Sequence, residues 1–234
     1  WMGFWVFIYE KPEKHPKVSA AELEYIQQDI LLDSKVEGYV PETTAKVSFV
    51  DCFKYRQTWA FAFGKFMTDG VWWFYLFWLP AYLKDQYQLT GTAIMLPLTV
   101  LYSLTMIGSI VGGYLPSLVS NQKQSLYQSR IRVMGWIAAF PLVVLLAQPF
   151  GYISYWIPVL LIGVGAAAHQ AWSANLFTTV SDNFPKAAVG SVVGVGGMAG
   201  GIGSVIITLT GGYLFDHYKL LGHIETGYTI LFTF

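Results

Sequence analysis

FGKFMTDGVWWFYLFWLPAYLKD, residues 63–85, is apolar and aromatic enough to lie in hydrocarbon, yet Lys65 and Asp69 interrupt it. Residues four apart stand one above the other on a helical face, so a helix here presents the two charges as a pair. A lone charge near mid-bilayer costs at least about 2.5 kcal/mol by insertion scales, so charges at that depth face protein or a water-filled cavity. Pairing lowers that cost without abolishing it. On a helical wheel Trp72 and Trp73 flank the same strip, and Tyr75 and Tyr82 form a neighbouring one. Two readings stay open: a cavity wall where cation, acid and aromatic rings meet a polar substrate, or a pair that locks this helix to its neighbour.

The composition around the stretch agrees with a membrane. Of the 234 residues 54% are hydrophobic and 12% charged, against roughly 25% charged in a soluble domain. Nine Trp, fifteen Tyr and sixteen Phe suit a chain whose amphipathic rings collect at the headgroup level. A net charge of zero gives no basic footprint for nucleic acid. The sole cysteine, Cys52, excludes an internal disulfide and a cysteine-based structural zinc site.

Five complete apolar segments follow one another at about 57–83, 92–117, 130–148, 153–180 and 187–215. Each is near the length needed to span about 30 Å of hydrocarbon at 1.5 Å per residue. Pro80, Pro116, Pro149 and Pro185 read as stops at segment ends; Pro97, Pro141 and Pro158 lie inside segments, where membrane helices tolerate kinks. The terminal runs WMGFWVFIY and TGYTILFTF are shorter than a span and read as the cut edges of two more, which predicts a piece of a larger membrane protein.

Lys and Arg number seven in residues 10–56, three in 117–132 and one near 181–188, whereas the alternate loops hold one, none and one. The positive-inside rule therefore puts the first set in the cytoplasm; the expected location is a cell (cytoplasmic or inner) membrane. Residues 10–56 also hold nine of the fourteen acidic residues. There Ser19 with Glu22 forms a capping-box signature ahead of Leu23, Ile26 and Ile30 on one helical face, and Ser48 with Asp51 repeats it, which predicts one or two short amphipathic helices.

In GSVVGVGGMAGGIGS, residues 190–204, the fragment GVGGMA fits the loose dinucleotide pattern, but it lacks the preceding strand and sits inside an apolar run. Small-xxx-small spacing at Gly190 and Gly194, Gly196 and Gly200, and Gly197 and Gly201 instead predicts close helix packing in lipid. AAHQAWSANLFTT, residues 167–179, brings His169, Gln170, Trp172 and Ser173 within one arc, with Asn175 and Thr179 adjoining. An imidazole, an amide, an indole and a hydroxyl on one intramembrane face could read sugar hydroxyls, and His169 could alternatively carry a proton. Interhelical hydrogen bonds of about 0.6 kcal/mol each are the competing explanation. No catalytic motif such as H-E-x-x-H or G-x-S-x-G occurs, and no ligand set at metal-binding spacing, so neither an enzyme nor a metal protein is expected.

YEKPEKHPKVSAAELEYI, FMTDGVWWFYLFWLPAYL and HQAWSANLFTTVSDNFPKAAVGSVVGVGGMAGGIG resemble the anion:cation symporter family of the major facilitator superfamily, and within it the bacterial hexuronate transporters. The resemblance covers nearly the whole chain. It implies an all-α membrane protein, the C-terminal six-helix half of a twelve-helix major facilitator fold truncated at both ends. Residues 1–9 would end helix 6, 10–56 form the central cytoplasmic loop, and 57–234 carry helices 7 to 11 and the start of 12. It further implies proton-coupled uptake of a sugar acid such as glucuronate or galacturonate, with no cofactor, by alternating access between this half and the N-terminal half of the same polypeptide. Lys65, Asp69, Trp72, Trp73, Tyr75, His169, Gln170, Ser173 and Asn175 are then the candidate substrate-binding residues. Another organic anion (a hexarate, an aldonate or a sugar phosphate) and a non-translocating sensor are the competing functions. One departure stands out: in GGYLPSLVSNQKQSLYQSR, Pro116 and Ser117 occupy the place where the superfamily has an acid, which predicts a gate latch that is weak or differently made.

Overall fold

The structure is a computed structural model and describes residues 2–25, 49–120 and 126–233. The chain divides into two compact units, Trp1–Lys46 and Val47–Phe234.

In the first unit α1 spans Met2–Ile8, with the Trp5 and Tyr9 rings stacked 4.6 Å apart. A second helical stretch covers 20–25, and the Ser19 hydroxyl caps it by accepting the Glu22 amide at 3.2 Å. That is the bond expected of the Ser19 signature, because a helix leaves its first amides without partners and a serine oxygen satisfies one. Ile26, Ile30 and Ser48 lie outside the described residues.

The second unit opens with a 3-10 turn at Phe49–Lys54, which buries Cys52. Then come α2 (Arg56–Tyr87), α3 (Met95–Val119), α4 (Leu126–Ile137), a 3-10 stretch Phe140–Leu146, α5 (Ala147–Phe150), α6 (Trp156–Asn183), α7 (Lys186–Leu220) and α8 (Ile224–Thr233). No strand occurs among the described residues. Four stretches, Gly91–Val119, Tyr127–Phe150, Trp156–Asn183 and Ala188–Leu220, are long and apolar enough to cross a membrane. The 32 residues of α2 extend about 48 Å; its charges and its Trp and Tyr side chains lower its hydropathy.

Two prolines expected to stop helices do not. Pro80 lies inside α2 and Pro116 inside α3, where neighbouring helices keep the segment helical, as is common in membranes. Pro97 and Pro158 fall in the first turns of α3 and α6, where a missing N–H costs nothing. The third apolar segment is not one helix. Its hydrogen bonds tighten from Ala138 to Met134 into the three-residue steps Ala139 to Trp136 and Leu142 to Ala139, because Pro141 supplies no amide and crowds the turn before it.

Two parallel helix pairs dominate the packing, α2 with α7 and α3 with α6. Both pairs are brought close by residues without bulk. Along α3, Gly108 and Gly112 lie against the backbone of Ala167 and Ala171 of α6. Along α7, Gly196 receives the Phe61 ring, Gly200 the Asp69 side chain and Gly203 the Phe66 carbonyl of α2. Exchanging α2 with α6 and α3 with α7 turns one pair into the other, as two inverted three-helix repeats do. The core extends from this frame: Tyr82, Leu79 and Leu83 of α2 pack with Leu101, Val159, Ile162 and Tyr228.

Of the glycines expected to pack, Gly196 and Gly200 face α2. Gly190, Gly197 and Gly201 have open space beside them, and Gly194 has only the Phe49 ring, 4.0 Å away, among the described residues. Spacing identifies a stripe of small residues, but a helix has several such stripes and only its partner selects one.

Candidate functional site

The charges of the opening stretch meet. Lys65 Nζ donates to Asp69 Oδ1 at 2.6 Å, as the one-turn separation along α2 dictates. The Lys65 side chain is 7% exposed and that of Asp69 20%. The ammonium also lies 4.3 Å from the centre of the Phe177 ring on α6. An ammonium removed from water thus has a carboxylate on one side and the negative face of an aromatic ring on the other, which offsets part of its desolvation.

One turn further along α2, His169 of α6 joins the site. Its Nε2 lies 2.7 Å from the carbonyl oxygen of Thr68; a carbonyl only accepts, so this nitrogen carries a proton and donates it. Nδ1 is buried and has no hydrogen-bond partner among the described residues. The imidazole lies parallel to the Trp72 indole, 8° between planes and 6.3 Å between centres, and Trp72 meets Tyr102 of α3 edge-on. Trp172 closes the same junction beside Gly64.

Gln170 and Ser173 are half-buried on α6. Ser173 is four residues and Gln170 seven residues before Phe177, so the three form one stripe. Since α6 runs antiparallel to α2, with His169 at Thr68 and Phe177 at Lys65, that stripe carries an amide and a hydroxyl to the level of the charged pair. Lys65, Asp69, Trp72 and His169 therefore share one junction of α2, α6 and α7, and Gln170 and Ser173 lie half-buried on α6 near its level.

Three expected members stand elsewhere. Tyr75 is buried in the core with Val144, Ala166 and Phe74. Trp73, one turn after Asp69, is exposed and stacks on Phe77 next to Gly201, Ser204 and Thr208 of α7, whereas Trp72 turns to His169 and Tyr102. Asn175 is fully buried and bonds backbone rather than lining a cavity: its Nδ2 donates to the carbonyls of Gly112 at 2.7 Å and Ala171 at 2.9 Å.

Asn175 belongs to a second polar cluster. Arg130 of α4 donates from Nη1 to Asn175 Oδ1 at 3.2 Å and from Nε to Asp182 Oδ2 at 2.8 Å. The acid that pairs with Arg130 is Asp182, at the end of α6. Arg130 and Asp182 are 52 positions apart, and no local pattern reveals such a pair. The Gly108 and Gly112 contact, by contrast, carries a small-xxx-small signal that is legible once those residues are considered.

These features describe helices packed around buried charges with a polar stripe at their level. The family model of the Major Facilitator Superfamily matches residues 1–208. The chain belongs to that superfamily and is a multi-pass membrane protein. Among relatives in the superfamily, it is 25% identical over 221 residues to a hexuronate transporter of Escherichia coli (strain K12), covering 92% of this chain and 49% of that protein. It is 24% identical over 218 residues to a probable galactarate/D-glucarate transporter of the same strain, covering 91% and 48%. It is 25% identical over 228 residues to a D-galactonate transporter of E. coli O6:H1, covering 93% and 50%. The chain spans about half the length of these relatives.

Proposed function

We propose that this chain supplies one half of a secondary active transporter that takes up a hexuronate, glucuronate or galacturonate, together with a proton by alternating access. The observation that carries the proposal is the Lys65–Asp69 pair, buried at a helix junction beside a stripe of hydrogen-bonding side chains. A sugar acid is a carboxylate with hydroxyls. Its carboxylate competes with Asp69 for the Lys65 ammonium, and Ser173, Gln170 and the Trp72 and His169 faces meet the hydroxylated ring.

Electrostatics links substrate to proton. The pair alone is neutral; when a substrate carboxylate takes Lys65, two carboxylates share one ammonium in a poorly solvated space. A proton on Asp69 restores neutrality, so sugar acid and proton enter together. The relatives that move hexuronate, galactarate or glucarate, and galactonate favour this class of substrate, and all of those anions share the carboxylate and hydroxyls that the site addresses.

The test is uptake of radiolabelled glucuronate and galacturonate, with galactarate and galactonate as comparison anions, into vesicles holding the full-length protein. Accumulation of a hexuronate that requires an inward proton gradient supports the proposal. Accumulation confined to a hexarate or aldonate transfers the substrate assignment to that anion, and accumulation indifferent to the gradient removes the proton.

A further inference from the structure

We propose that Gly200 of α7 is a positioning residue for the Lys65–Asp69 pair: its missing side chain is what lets the Asp69 carboxylate lie against α7 with one oxygen turned to Lys65. The proposal rests on the reading of that pair as the substrate's charged site. A Cβ built on Gly200 collides with Asp69 Oδ2 and comes within 2.8 Å of Cγ and 3.2 Å of Cβ. The whole acidic side chain is therefore flush with the backbone of α7, and no tip movement clears it. Oδ1, the other oxygen, makes the 2.6 Å contact with Lys65.

The two neighbours of this contact are fixed. Ser204 is buried and donates to the Gly200 carbonyl at 2.7 Å, bracing that turn of α7, and Gly196 and Gly203 pack on Phe61 and the Phe66 carbonyl on either side, so α7 could retreat from Asp69 only by opening those contacts. Lys65 also lies over the Phe177 ring of α6 at 4.3 Å, a contact its ammonium gives up if it follows an Asp69 pushed out of place. A methyl group at position 200 must turn the carboxylate about its Cα–Cβ bond and separate the pair. Gly201 provides an internal control, since among the described residues nothing lies within 4 Å of its Cβ position. Both substitutions raise helix propensity alike, and only one touches Asp69.

The experiment is a double-mutant cycle in the complete transporter, read by melting temperature in detergent and by proton-driven glucuronate uptake. Gly201→Ala is expected to stay within about twofold of wild type. Gly200→Ala is expected to raise the apparent KM on the order of tenfold to a hundredfold and to lower the melting temperature. Asp69→Ala removes the collision with Oδ2 and Cγ and leaves only the 3.2 Å approach to Cβ, so Gly200→Ala added to it should cost little further in melting temperature. If Gly200→Ala alone fails to fold, restored folding in the double variant supports the same contact. Additive losses in the cycle, or a Gly200→Ala variant that behaves like Gly201→Ala, overturn the positioning role. Coupling in melting temperature with uptake unchanged in Asp69→Ala would instead overturn the reading of the charged site, and the role of Gly200 in it, while leaving the contact itself intact.

Discussion

His169 on α6 donates from Nε2 to the carbonyl of Thr68 on α2 across 2.7 Å, one residue before Asp69. The bond ties the two helices at the level of the charged pair, and the stack on Trp72 holds the ring in the plane that makes it. A glutamine side chain can present an N–H at nearly the same reach, whereas leucine cannot. His169→Gln should therefore retain proton-driven uptake within a few-fold, and His169→Leu should lower thermal stability by about 0.6 to 1 kcal/mol and weaken uptake. If His169→Gln abolishes proton-driven uptake while substrate counterflow persists, the imidazole itself carries the proton.

Close approach of α3 to α6 depends on Gly112, whose Cβ position coincides with the Ala171 side chain, while the adjacent Gly113 has nothing within 4 Å. Gly112→Ala should reduce folded yield and melting temperature. Gly113→Ala, which gains helix propensity of up to about 1 kcal/mol without a clash, should leave the melting temperature unchanged or raise it. Thermal melts of the two variants in detergent check the contrast.

Arg130 is 7% exposed as a side chain and pairs with Asp182 and Asn175. Removing the cation leaves a carboxylate and an amide oxygen without a donor, so Arg130→Gln should destabilise on the order of 3 kcal/mol. Asp182→Asn combined with Arg130→Gln should cost less than the two single losses together, because the second change removes the stranded charge. Equal and additive losses would show that the pair is not coupled.

Much of this fold is legible in the sequence because hydrocarbon imposes a coarse rule: apolar runs of about 20 residues become spans, and charges four apart on such a run become a pair. Lys65 with Asp69 follows from that rule alone. Pro80 and Pro116 do not, since whether a proline ends a helix depends on neighbours that supply packing and alternative bonds. The break at Pro141 shows the opposite outcome of the same chemistry. At the site, spacing puts His169 and Ser173 on one side of α6 with Gln170 adjoining, but Asn175 turns to Gly112 and Arg130, partners that come from two other helices. Trp73 and Tyr75 sit on the helix that carries the pair, yet Trp73 opens onto a groove with α7 and Tyr75 enters the core. Gly200 stands out from its neighbouring glycines only when Asp69 is seen beside it.

Lys65 binding the substrate carboxylate is most directly measured by the concentration dependence of proton-driven glucuronate uptake in the full-length protein and its Lys65→Gln variant, at matched folded yield. The expected result is an apparent KM raised on the order of tenfold or more, since a charge-assisted contact is worth roughly 1.5 to 3 kcal/mol, with the melting temperature partly restored when Asp69→Asn is added. Unchanged uptake by a folded Lys65→Gln variant would contradict it and leave the Lys65–Asp69 pair as a lock between helices.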